Sequence, residues 1–187
     1  MLFVGIDGEM SSTDLQAGGK LIQIGLSVEG PDGIETIDYL IRPVGEMQWS
    51  EEAAKVHNIP QEALKGALHP DEVDEILYEW LIERGANPKS RAKTIPVGFN
   101  IIGFDMPFVK ATLPKTFSLF SRRMADLNSM LWLLHGKNKK SFETWKAMAL
   151  DYAKMNMIDY KPHDAGWDSA RHLVCFNYLR SVTHNVV

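Results

Sequence analysis

A chain of 187 residues suits a single hydrophobic core, and 45% apolar with 24% charged residues lies far from the composition of disordered chains, so one folded domain over residues 1–187 is expected. The formal net charge of −4 argues against a protein that coats duplex nucleic acid with a basic face. It does not exclude a site that holds cations, since clustered carboxylates themselves add negative charge.

The N-terminal run Met-Leu-Phe-Val-Gly-Ile-Asp has no basic leader and is too short to span a membrane, which leads us to expect a cytoplasmic protein without a membrane partner. Residues 2–6, 21–28 and 34–41 are apolar and rich in branched side chains, the pattern of strands. Gly18-Gly19 and Gly30-Pro31-Asp32-Gly33 separate them with turn chemistry, which predicts an antiparallel three-strand meander. Ser50-Glu51-Glu52 then reads as a capped helix start, and Val73, Ile76, Leu77, Trp80 and Leu81 repeat at helical spacing. Residues 94–99 are strand-like again, and 105–113 lead away as a helix ended by Pro114. A short strand is expected at 122–125, followed by a helix over 127–134. Two long helices close the chain, one carrying Phe142, Trp145, Ala149 and Tyr152, the other Trp167, Ala170, Val174, Tyr178 and Val182. The single cysteine, Cys175, cannot form an internal disulfide, and its neighbours Leu173, Val174 and Phe176 mark it as a buried thiol. The sum is one α/β domain.

Asp7 and Glu9 flank Gly8 at the end of the first strand, where a period of two puts both side chains on one face. Two carboxylates there repel each other and lose hydration, which is costly unless a cation sits between them. Asp105 follows directly after a buried strand, the place where ligands gather in α/β folds, although an aspartate there also suits a helix N-cap. His163 and Asp168 stand where a loop opens into the last helix, and Asp168 would equally favour the helix dipole. Each residue alone has an ordinary structural explanation; their joint order does not.

In that order they resemble the motifs of the DEDDh exonucleases, the superfamily of proofreading subunits, oligoribonucleases and RNase T. Asp7-Gly8-Glu9 is similar to the first motif, Phe104-Asp105 with Phe108 to the second, and His163, Ala165 and Asp168 to the His-x-Ala-x-x-Asp third motif. Glu9-Met10-Ser11, Asn100 five residues before Asp105, Leu113-Pro114 and the run 122–127 resemble the oligoribonuclease branch. Phe104 departs from that branch, and Ala53-Ala54-Lys55-Val56-His57-Asn58-Ile59 is closer to the proofreading type.

The resemblance implies an RNase H-like fold, a central mixed sheet in which parallel strands join the meander, with helices flanking it. It implies two Mg²⁺ or Mn²⁺ ions held by Asp7, Glu9, Asp105 and Asp168, with His163 as general base. The activity implied is 3′ to 5′ removal of 5′ mononucleotides from single-stranded RNA or DNA, and the resemblance also allows a homodimer. Met10, His57, Asn100 and Phe108 are the candidates for contact with the terminal nucleotide, with a place in the core the better reading for Phe108. Lys110, Lys115, Arg122, Arg123, Lys137, Lys139 and Lys140 are candidates for following the backbone, with a solvated basic face as the ordinary alternative. The competing reading of the whole chain is a nucleic-acid-binding module that kept the fold and lost the chemistry.

Overall fold

The structure, a computed structural model, describes residues 1–138, 140–157, 161 and 163–184, leaving aside the side chains of residues 91–93, 137, 138 and 184. Five strands form one sheet: β1 (Leu2–Met10), β2 (Leu21–Gly30), β3 (Gly33–Leu40), β4 (Thr94–Gly98) and β5 (Ala125–Asp126). Their spatial order is β3-β2-β1-β4-β5, antiparallel from β3 to β1 and parallel from β1 to β5. This is the mixed sheet that the meander and the later strand pattern predict.

Among the described residues, seven α-helices flank the sheet: α1 (Glu51–His57), α2 (Pro70–Glu83), α3 (Asp105–Thr112), α4 (Pro114–Leu119), α5 (Leu127–Asn138), α6 (Phe142–Asn156) and α7 (Ala165–His184). Alternation along β1 divides its side chains between two cores. Val4, Ile6 and Met10 pack with Val73, Leu77 and Leu81 of α2 and Met106 and Val109 of α3. Phe3 belongs to a second core built from Leu127, Leu131, Trp145, Ala149, Leu173 and Phe176 of α5, α6 and α7.

Three boundaries differ from the sequence reading. β1 runs on through Asp7, Gly8 and Glu9 to Met10, because β2 continues beside it as far as Leu21, with a bulge between Glu9 and Met10. β5 lies at Ala125–Asp126 instead of 122–125. Pro114 begins α4, since a proline at the first helical turn loses no hydrogen bond. The start of α4 is capped from α2, where the Asp74 carboxylate accepts the backbone N–H groups of Lys115 and Thr116, both at 2.8 Å.

α7 lies directly on β1 and β2, and bare glycines let it approach. A Cβ on Gly5 would stand 2.1 Å from the Ser169 carbonyl oxygen, and one on Gly25 2.0 Å from that of Ala165. The Ser27 and Ser169 hydroxyls join across this contact at 2.7 Å. Phe3 meets Phe176 at 4.7 Å between ring centroids, so α7 runs antiparallel to β1 and its N-terminus reaches the end of β1 that carries Asp7 and Glu9. On its other side, Cys175 donates its thiol to the Ala149 carbonyl of α6 at 3.4 Å, and burial pushes the thiol pKa up to about 12. No described helix is long and apolar enough to cross a membrane.

Candidate active site

Phe3, Gly5, Asp7 and Glu9 share the face of β1 on which α7 docks, so the two carboxylates emerge where the helix begins. Asp105 arrives from the opposite direction. It is the first residue of α3, one position past the N-cap Phe104, and its side chain crosses to β1, where Oδ1 accepts the Gly8 N–H at 3.0 Å. The capping explanation for Asp105 therefore fails, and the bond ties the second motif to the first.

The third motif closes on the same place. Asp168 Oδ2 accepts the His163 backbone N–H at 3.1 Å, and His163 takes a left-handed φ of 60° that turns the loop back over the helix start. Carboxylate and ring atoms of Glu9, His163 and Asp168 lie within 4.8 Å of one another. Asp168 is buried whereas His163 is exposed, so the histidine forms the solvent side of the cluster. Glu9, His163 and Asp168 thus form one cluster, and Asp7 and Asp105 lie close enough to couple electrostatically with its carboxylates, the five coming from the end of β1, the β4–α3 junction and the start of α7.

Electrostatics follows from this crowding. Burial, reinforced by Asp105, Asp168 and Glu9, pushes Asp7 well above the usual carboxylate range against the opposing pull of Arg171. Glu9 rises to about 7, chiefly by burial and then through Asp168, Asp105 and Asp164. Asp105 also rises to about 7, driven by burial, even though the Gly8 N–H favours its anion. Oxygen donors without enough counter-charge are the donor set for a hard divalent cation, so the residues present fit Mg²⁺ or Mn²⁺.

The other candidates divide. Phe108 and Met10 are packed into the core at 2% and 4% exposure, which for Phe108 is the core position expected from its type and leaves Met10 no surface for a terminal base. Both are large apolar side chains on element faces that point inward. His57 is also buried, at the end of α1; its Nδ1 accepts the Ile59 N–H at 2.9 Å, and its Nε2 has no hydrogen-bond partner. Trp49 packs edge-on against it at 5.8 Å. The preceding segment is pinned to the residues that follow β1, with Ser50 N–H on the Ser11 carbonyl at 2.7 Å and the Ser11 hydroxyl on that of Gln48 at 2.7 Å. Asn100 is exposed, with φ of 57°, on the loop that leads to Asp105.

Among the basic residues, Lys115 is paired with Glu75, and Lys140 lies 4.9 Å from the Trp145 ring. Lys110 stands 6.0 Å from the Phe117 ring. Arg122 and Arg123 are exposed. Lys139 and the side chain of Lys137 fall outside the described residues.

Sequence reasoning missed two neighbours of the cluster on α7. Arg171 Nη2 pairs with Asp168 Oδ1 at 3.2 Å. His172 is buried behind Asp7, its Nδ1–H donating to the Ile6 carbonyl at 2.7 Å and its Nε2 lying 3.7 Å from Asp7 Oδ1. That approach is not an ion pair, because burial pushes the imidazole pKa down to about 3. The available signal was their spacing: positions three and four after Asp168 share its side of a helix.

No family model matches the sequence, and no curated protein matches it. Solved structures do match. E. coli exonuclease I in complex with a dT13 oligonucleotide superposes with a TM-score of 0.74 at 13% identity, over 99% of this chain and 42% of that one. A second exonuclease I structure, described as suggesting how processivity is achieved, gives 0.71 at 14%, over 97% and 41%. Cell-death related nuclease 4 gives 0.63 at 16%, over 98% and 64%. The chain thus spans about two fifths of the exonuclease I chains it matches. Nearly every residue of it falls within the superposition, and the expected RNase H-like fold, a five-stranded mixed sheet flanked by helices, is the fold it shares with these nucleases.

Proposed function

We propose that this chain is a DEDDh-type 3′ to 5′ exonuclease that uses two Mg²⁺ or Mn²⁺ ions to release 5′ mononucleotides from single-stranded nucleic acid. The observation that carries this reading is the convergence of Asp7, Glu9, Asp105 and Asp168 with His163, under burial that leaves the carboxylates short of positive charge. The resemblance of the three motifs and the fold shared with exonuclease I support it.

In this reading Asp7, Glu9, Asp105 and Asp168 hold the ions. Bound there, divalent cations supply the charge that acidifies a water and stabilises the leaving 3′ oxygen. His163 accepts the proton of the attacking water, from the exposed side of the cluster where substrate and solvent arrive. The Gly8 N–H fixes Asp105, and the His163 N–H fixes Asp168, so two backbone donors orient two of the four carboxylates. Asn100, exposed on the loop that leads to Asp105, is the proposed contact to the terminal nucleotide, whereas His57 is buried together with its Nε2. Among the described residues, the exposed Arg122 and Arg123 are the basic side chains proposed to follow its backbone.

The test is hydrolysis of 5′-labelled single-stranded RNA and DNA of several lengths, with Mg²⁺ or with chelator. The expected result is a ladder shortened from the 3′ end that vanishes with chelator. No metal-dependent shortening of either polymer sinks the nuclease reading and favours the binding module. His163→Ala should keep Mn²⁺ binding while lowering turnover by roughly 10²- to 10⁴-fold at every pH. Near-normal turnover would move the proton-accepting role elsewhere.

A further inference from the structure

The parallel ladder between β1 and β4 ends at Gly5 and Val97. The next carbonyl on β1, that of Ile6, lies in the buried interior, where a main-chain acceptor needs a donor. The donor is His172, which reaches across from α7 with a 2.7 Å bond from Nδ1. Gly98, at the end of β4, leaves room for this bond: a Cβ there would stand 2.9 Å from the Ile6 oxygen and 3.0 Å from His172 Nδ1. Phe99 holds the ring edge-on from the other side at 5.5 Å. His172 is 2% exposed and therefore meets neither solvent nor substrate.

Ile6 immediately precedes Asp7, so the bond fixes the backbone from which that carboxylate springs. Nε2 stands 3.7 Å from Asp7 Oδ1, beyond hydrogen-bond reach, and the imidazole acts on Asp7 through the main chain. We propose that His172 is a positioning residue of the acidic site: by replacing β4 as the partner of the Ile6 carbonyl, it aims Asp7 at the space shared with Glu9, Asp105 and Asp168. The proposal rests on the reading that this site holds divalent cations. It also accounts for a buried polar residue immediately before the apolar stretch Leu173 to Phe176 of α7 that packs in the core.

Two uncharged variants separate positioning from simple packing. His172→Asn keeps an N–H donor at the place of Nδ1, whereas His172→Gln carries its amide one methylene further and loses the bond to Ile6. Mn²⁺ binding is measured on substrate-free protein by electron paramagnetic resonance, with thermal melting in chelator as the control for folding. Asn should bind Mn²⁺ within about threefold of wild type and Gln roughly tenfold to hundredfold more weakly. Binding by Gln equal to wild type, or equal weakening by both variants, overturns the proposal. Should Gln fail to fold, Asn decides alone, since weakening beyond about tenfold refutes a role carried by the Nδ1 donor. Wild-type protein that binds Mn²⁺ but shortens no strand overturns the nuclease reading and leaves His172 in place. Wild-type protein that binds no Mn²⁺ overturns both.

Discussion

Glu9 and Asp105, each raised to about 7, carry protons at acid pH that a bound cation must expel. Cation affinity should therefore climb as pH rises through 7, by up to roughly tenfold per pH unit for each proton displaced. Calorimetric Mg²⁺ titrations between about pH 5.5 and about pH 7.5 check this, and a flat affinity would contradict it. At this scale the sequence was informative wherever a residue's type carried its chemistry. Carboxylates two apart on a strand, and an aspartate after a buried strand, are visible without coordinates. Phe108 and Met10 could not be assigned from sequence because apolar side chains serve a core and a base equally well, and only burial separates the two uses. His172 and Arg171 offered only the signal of their spacing from Asp168, since their importance lies in contacts with Ile6 and Asp168.

The position of α7 depends on what two strands lack. Gly25→Ala would place a methyl group against the Ala165 carbonyl and push the helix start, with Asp168, away from β1. We expect a loss of about 1–3 kcal/mol of stability and a larger relative loss of cation binding. Gly136, in α5 with open space around it, is the control: Gly136→Ala should add about 0.5–1 kcal/mol by helix propensity alone and leave binding unchanged. Urea denaturation of the two variants separates the cases. Long elements such as α2, α6 and α7 were legible because their periodicity repeats over several turns. β5 was displaced because two residues establish no period. α4 was missed because Pro114 was read only as a stop, and its cap, Asp74, lies some 40 residues away in the chain.

For the molecule as a whole, the acidic cluster links fold stability to pH. A carboxyl whose folded pKa is raised contributes fully below its unfolded value, near 3.8 for Asp105 and 4.5 for Glu9, and costs stability as pH climbs to its folded value of about 7. Metal-free protein should melt at a higher temperature at about pH 5 than at about pH 7.5, and Mg²⁺ should restore the difference mainly at the higher pH. Melting curves at both values, with and without Mg²⁺, decide it; a metal-free melting temperature that rises over this range would refute the cluster's role. The fold was legible at this scale through the order of motifs, and it is the fold shared with exonuclease I at 13% identity. The superposition covers about two fifths of that larger protein.

Cys175 gives the molecule a clock. Its thiol is held between α6 and α7 with a pKa near 12, so an alkylating reagent reacts only in moments when those helices part. The modification rate thus counts openings of α7, the helix whose first turn carries Asp168. If a cation fastens that turn to β1, Mg²⁺ should slow the clock even though the thiol sits far along the helix from the metal.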